Sequence, residues 1–527
     1  MEKRAFIFIL AVSFCLGVIN AYAGDDTDLF NELEKDAKPK EEVKEKKDAK
    51  PQGDGDLFNE LETGSSPSTS KESSPKDDFA DLEQSEKKPQ LEQKPISKIV
   101  NQIPKNFEGN LRFKYLHYLR DPEKREGADL SNDFGNALLE YKSWTGGEIW
   151  KLNMSGWVEG GTDKGAYSGI THWMQDRDNR SRHIELNELY ATISQKSYDV
   201  TFGKKTFTNG MCTLVSPSDR FRPGDGHDPI DPKEFGIWQA RIDYYLKEST
   251  ITGAILPVYT VPKTPHESSR WIGSVNRNGV IVAGDADFKD EDSEIIDEYP
   301  IIKASNVGYF SKIKTTYKGW DFGSSLYSGP NPYYVLQEEI RTEEKNGIKV
   351  QRKVRTKKTV RVNFISLGFS TTYKKWEFHG ESLYNYSDHE RDDDYITTVM
   401  GFTYTIDDWA KYLFMERIDA TIEYSMESIT NHQNADTYVK SSQQTRAGRN
   451  DLLARIKFKY NEDLNFEYDC NWDRVENGLF NHMEAEYRIK DGLMWKILGD
   501  VFSGPEKSTY GRWYKNDRIE TTIEYKF

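Results

Sequence analysis

The chain has 527 residues, with 72 Lys and Arg against 87 Asp and Glu for a net charge of −15, and it is 36% hydrophobic yet 13% aromatic, with 30 Tyr, 26 Phe and 12 Trp. Acidity on this scale argues against a nucleic-acid partner, and a soluble enzyme of this length would be richer in aliphatic residues. An outward belt of aromatics over a polar lumen would produce such a composition.

Residues 1–23 carry Lys3 and Arg4, the apolar run from Ala5 to Ile19, and then Ala21-Tyr22-Ala23, a small-x-small cleavage pattern. This is a secretory signal, and Phe14 is too large for the position before a lipidated Cys15. Its removal (Lys3 and Arg4 against Glu2, net +1) takes the charge from −15 to −16. Beyond it no stretch approaches the roughly 18 apolar residues that a membrane helix requires. A closed barrel is the other way to satisfy every backbone group in lipid.

Residues 24–105 hold 21 Asp and Glu against 14 Lys, a net of −7, with scattered Pro, Ser and Gly. Such a segment buries too little apolar surface to fold alone and is expected to be a disordered periplasmic tether. Within it a motif recurs at residues 28–34 and 56–62 as Asp-Leu-Phe-Asn-Glu-Leu-Glu, with a looser copy at 77–83. Two explanations stand: duplicated spacer, or a short amphipathic motif that docks repeatedly on a periplasmic protein.

From residue 106 the chain alternates polar and apolar residues in runs at 108–119, 136–144, 148–158, 183–195, 199–206, 236–246, 250–259, 304–317, 320–328, 358–373, 376–386, 394–405, 412–427, 448–460, 464–472, 478–489, 493–502 and 517–527. Short gaps follow long ones throughout. With both termini in the periplasm, every short turn falls on the periplasmic side and nearly every long loop outside. The expected fold is all-β, a transmembrane antiparallel barrel over 106–527 of about 18 strands (16–18). The last strand puts Ile519, Thr521, Ile523, Tyr525 and Phe527 on the lipid face and Glu520 and Glu524 in the lumen. This strand ends on an aromatic and is expected to engage the barrel assembly machinery. By the same parity Arg455, Lys457 and Lys459 line one arc, and Glu484 and Glu486 line strands that follow. These charges either solvate the wall or tune selectivity.

The third outer loop is rich in Pro and Gly, hence shaped, and folding it inward would narrow the pore with Asp219, Arg220 and Arg222. Asp225, Asp228 and Asp231 are spaced as a calcium candidate, though without the ligand order of a known calcium loop; the plainer expectation is an exposed acidic loop. Cys470 falls on the lipid face and Cys212 in this loop, so the two are not expected to pair. No other metal and no cofactor is expected. Sequence signatures of hydrolases and of phosphate-binding loops are absent.

The segment Gly203-Lys204-Lys205, Asn209-Gly210, Pro217-Ser218-Asp219 and Pro223 resembles a recurring pattern of outer-membrane porin-like barrels, the superfamily that includes alginate-export-like and related substrate-specific channels. That pattern has Gly-Arg/Lys-Gln, Trp-Gly, Pro-x-Asp and a further Pro; here Asn209 stands for the Trp and Lys205 for the Gln. The resemblance implies passage of small solutes, or of an exported polymer, across the outer membrane. Three functions are thus expected in order: a porin-like channel for polar or charged solutes, an assembly or secretion scaffold that uses the tether, and an outer-membrane hydrolase.

Overall fold

The computed structural model describes residues 106–527 apart from residues 123, 125–126, 179, 267, 273–292, 299, 346–347, 442–445 and 447. The expected signal (1–23), the expected tether (24–105) and the repeats at 28–34, 56–62 and 77–83 lie outside the described residues. Eighteen strands form one closed sheet: β1 (Phe107–Tyr118), β2 (Asp133–Gly146), β3 (Trp150–Gly161), β4 (Ile184–Gln195), β5 (Tyr198–Lys205), β6 (Ile237–Leu246), β7 (Ser249–Leu256), β8 (Gly308–Tyr317), β9 (Trp320–Pro330), β10 (Arg361–Tyr373), β11 (Trp376–Ser387), β12 (Asp394–Ile406), β13 (Arg417–Asn431), β14 (Asn450–Lys459), β15 (Leu464–Asp473), β16 (Gly478–Lys490), β17 (Leu493–Ser503) and β18 (Arg518–Lys526). Each is antiparallel to the next, and β1 pairs with β18 from Asn110↔Lys526 to Tyr118↔Arg518. Closure removes every free sheet edge.

The alternation in sequence becomes an inside and an outside. On β13, Thr421, Glu423 and Ser425 are buried inward while Ile422 and Met426 lie half-exposed on the outer surface. β18 repeats this, with Arg518, Glu520, Thr522 and Glu524 inward and Ile519 and Ile523 outward. Phe527 extends the outer row: its backbone exchanges two hydrogen bonds with Gly109, and its ring packs where a Cβ at that glycine would lie. Gly109 thereby gives the seam room for a terminal aromatic.

At one end, the turn end, strands are joined by tight turns. Lys318 and Gly319 both have positive φ, the type I′ geometry whose twist matches the flanking strands. The other end carries the longer loops. Within them a hairpin, Val335–Lys345 with Ile348–Lys358, is extended by Ser293–Glu298 and Tyr438–Lys440 into a separate four-stranded sheet. The expected run 358–373 therefore begins as a barrel strand only at Arg361. Residues 412–416, expected in a strand, instead belong to a turn containing a 3₁₀ helix at Ala410–Leu413. Tyr412 and Phe414 happen to continue the outward parity of Ile418, so period alone reads them as strand.

Candidate functional site

The third loop at the loop end, residues 206–236 and called L3 below, folds into the barrel and divides into two legs. The first leg is held by carboxylates that the barrel wall aims inward. Glu381 on β11 accepts from Met211 N (2.9 Å), Ser216 Oγ (2.6 Å) and Ser218 N (2.5 Å). Glu423 on β13 accepts from Thr213 N and Leu214 N through Oε1 (2.7 and 2.9 Å) and from Val215 N through Oε2 (3.0 Å). His379 Nε2 lies 2.8 Å from Glu423 Oε1, and neither side chain is exposed. Consecutive backbone N–H groups converging on a carboxylate form an anion nest turned to structural use. Around it, Asn209 donates to Ser325 Oγ (2.8 Å), and its carbonyl accepts from Lys312 Nζ (2.9 Å). Met211 fits a notch made by Gly323 and Gly368, whose added Cβ atoms would lie 2.6 and 3.1 Å from its sulfur. Phe221 closes the leg by packing with Phe207, Phe310, Tyr327 and Phe364.

Asp219, Arg220 and Arg222 all lie on this leg. Asp219 accepts from Asn209 N (2.8 Å) and Gly210 N (3.0 Å), and pairs with Arg222 at 3.0 Å. Burial pushes its carboxyl above the usual range despite Arg222 and those two N–H groups. Arg222 also reaches Glu234 at 2.7 Å. The Arg220 guanidinium stacks on Tyr333 and Tyr395, 4.2 and 5.4 Å from their ring centres. The three residues share the loop but do not converge on one point.

The second leg reaches the wall of β18, β1 and β3. β11 and β1 are eight strands apart around the eighteen-strand ring, so L3 crosses the lumen. Asp225 accepts from Ser181 Oγ (2.8 Å), Asp228 pairs with Arg518 (2.6 Å), and Asp231 pairs with Lys114 (2.8 Å) and Arg112 (3.8 Å). Each carboxylate faces a different partner, and no group of three metal-ligating side chains occurs among the described residues. The expectation of an exposed acidic loop is also corrected: Asp225 is buried, and Asp228 and Asp231 are half-buried because wall cations draw them in. Burial raises the Asp231 carboxyl, but Lys114, Arg112 and Lys233 more than offset this and bring it down to about 2. Burial lowers His227, and Asp163, Asp225 and Asp228 reverse that, leaving it raised.

Two cavities meet at this leg. One of about 120 Å³ lies toward the loop end beneath Arg270 and Trp271; another of about 820 Å³ lies toward the turn end beside Glu140, Lys142 and Phe527. Arg112, Asp231 and Lys233 line both, and Lys233 pairs with Glu159 on β3. Arg112, Lys114, Glu159 and Lys233 were not singled out from sequence. The even parity of β1, with Phe113 and Tyr115 outward, carries the signal for the first two.

The wall charges expected from sequence are met by partners. Arg455 pairs with Asp469 (2.6 Å) and Glu467 (3.0 Å), and Lys457 with Glu467 (3.0 Å). Lys459 pairs with Glu416 at 3.2 Å. Lys496 bridges Glu484 (3.5 Å) and Glu486 (2.9 Å), Lys114 reaches Glu520 (3.2 Å), and Lys526 reaches Glu524 (3.2 Å). Lys457, Lys459, Glu484 and Glu486 border a further cavity of about 400 Å³. Cross-strand pairing makes this wall a lattice of alternating sign, where the sequence suggested a cationic arc followed by acidic strands. Cys212 and Cys470 are both free. Burial, with Glu423 and Glu381 nearby, pushes the Cys212 thiol well up, which leaves it a poor nucleophile.

No family model and no curated protein matches the sequence. Among solved structures the chain is similar to OccK8 (OprE) of Pseudomonas aeruginosa, at 10% identity over 80% of this chain and 97% of that one, with a TM-score of 0.42. It is similar also to OccK9 (OpdG) of that organism, at 9% identity over 80% and 98% with a TM-score of 0.41, and to OccK11 (OpdR), at 9% over 80% and 95% with 0.40.

Proposed function

We propose that the protein is an outer-membrane channel through which small polar or charged solutes pass, with the longer loops facing outward, the tight turns facing the periplasm and L3 setting the constriction. An apolar exterior around a charge-lined interior suits a lipid-embedded conduit, since barrels of 16–18 strands are wide enough to leave an aqueous lumen. The observation that carries the reading is the crossing of the lumen by L3 between two cavities that meet at Arg112, Asp231 and Lys233. Narrowing by a fixed loop, with both signs of charge at the narrowest level, admits small hydrated solutes and discriminates by charge arrangement. Purified protein inserted in planar bilayers is expected to give discrete single-channel currents. The reading is overturned if no conductance arises at any salt concentration from protein whose gel migration shifts on heating as that of a folded barrel does.

A further inference from the structure

Among the described residues, seven of the eight connections at the turn end are two to four residues long, while the one between β12 and β13 runs through residues 407–416. It holds the 3₁₀ helix Ala410–Leu413 and ends at Phe414 with φ +61. A bulky residue in left-handed conformation is strained, so its surroundings must hold it there. Trp409, Tyr412, Leu413 and Phe414 are 75%, 79%, 55% and 71% exposed, whereas Ala410 and Met415 are buried.

Parity shows which way this turn folds. Ile418 has the outward parity of Ile422 and Met426 and pairs in register with Ile406 and Phe458. Ile422 is 40% exposed, yet Ile418 is only 5% exposed. The adjoining turn, in which Ala410 and Met415 are buried, is the segment placed to cover it at that end of β13. Cover over an outward-facing side chain sets this turn toward the outer wall. At the same end of the neighbouring strands the outer face carries Trp376, Phe402 and Tyr404, where Trp376 and Tyr404 are 4.3 Å apart between ring centres. Ionic groups frame it: Lys375 pairs with Asp408 (2.9 Å) and Asp407 (3.5 Å), and Lys411 is exposed.

We infer that residues 409–414 form an interfacial anchor that inserts Trp409, Tyr412, Leu413 and Phe414 into the headgroup boundary of the periplasmic phospholipid leaflet. Amphipathic aromatics favour that boundary, and a short turn lying in its plane buries one face in acyl chains while charges stay in water. The occupant is lipid because the patch stands at the end of the strands that carry this outer aromatic row and its side chains are exposed. The inference rests on the membrane-spanning reading above, and its test separates the two.

In the full chain carrying Cys212→Ser and Cys470→Ala, nitroxide labels are placed singly at Phe414→Cys, Ile422→Cys and Asn461→Cys, and the protein is reconstituted in vesicles of phosphatidylethanolamine and phosphatidylglycerol. Paramagnetic relaxation by oxygen, which partitions into lipid, is compared with that by a water-soluble nickel chelate. Oxygen is expected to dominate at 414 and 422 and the chelate at 461. Chelate dominance at 414 with oxygen dominance at 422 overturns the anchor and leaves the barrel standing; chelate dominance at 422 overturns the membrane reading and the anchor with it. Shielding of 414 from both relaxants, with dipolar coupling between copies, overturns the anchor in favour of a self-association face. Should the 414 label prevent folding, Tyr412→Cys carries the same expectations.

Discussion

Replacing Glu423 with alanine should undock the first leg of L3 while leaving the barrel closed. The carboxylate takes three backbone N–H groups at 2.7, 2.9 and 3.0 Å and sits 2.8 Å from His379 Nε2, with no exposure to solvent. Hydrogen bonds to a charged group contribute about 1.5–3 kcal/mol each, and bonds sharing one acceptor are not additive, so a loss of about 4 kcal/mol in docking free energy is expected. That is a factor on the order of a thousand in the docked-to-undocked ratio. Glu423→Gln keeps the shape and one acceptor oxygen and should lose roughly half as much, about 2 kcal/mol. Single-channel recording should then show a higher mean conductance with rapid fluctuation in Glu423→Ala, a smaller effect in the glutamine variant, and the largest when Glu381→Ala is added. Trypsin supplies a second readout, because undocking exposes the bond between Arg220 and Phe221. If the double variant retains the parent's conductance, its noise and its resistance to trypsin, L3 is not held by these carboxylates.

Gly401→Ala should reproduce this behaviour without touching L3, because the new methyl would lie 2.5 Å from Glu423 Cγ and 3.0 Å from His379 Nε2; it is checked by the same recordings. Lys114→Met leaves Asp231 and Glu520 without the ammonium that bridges them at 2.8 and 3.2 Å, and the reversal potential in a salt gradient should move toward cation selectivity. The His227 pKa is raised above 6.5, so its interactions stabilise L3 fully below pH 6.5 and are lost as pH rises through the folded value. Selectivity should accordingly shift toward anions as pH falls from about 8 to 6, and His227→Gln should flatten the profile. The Asp231 pKa is depressed from 3.8 to about 2. Its contribution is present above 3.8 and lost only as pH falls through about 2, so conductance should show no L3 release between about pH 4 and 7.

The strands were legible because a wall wet on one face and apolar on the other imposes period two on every crossing, and because tight turns demand residues such as Gly319 and Gly492. The loop-borne hairpin falls between the runs 320–328 and 358–373, where the sequence carries the hairpin signal Asn346-Gly347 but no period-two apolar face to mark a wall strand. L3 was legible as a shaped segment from its prolines and glycines. Its anchors were not, since Glu381 and Glu423 look in sequence like any other inward strand carboxylates, and only three-dimensional closure shows which backbone they face. The same holds for the wall: Arg455 and Lys457 were visible as cations, whereas their pairing with Glu467 and Asp469 depends on the β14–β15 register.

The crossing of the lumen also orders assembly in time. Val215 and Glu423 are 208 residues apart, and Asp228 and Arg518 are 290 apart. Contacts of such separation form late, after the loop-closure entropy has been met by nearer pairings. The pairing of β1 with β18, which joins Asn110 to Lys526, spans more of the chain still, so ring closure and loop docking belong to the same late stage. The loop that crosses the lumen thus reaches its final place only as the ring itself is completed.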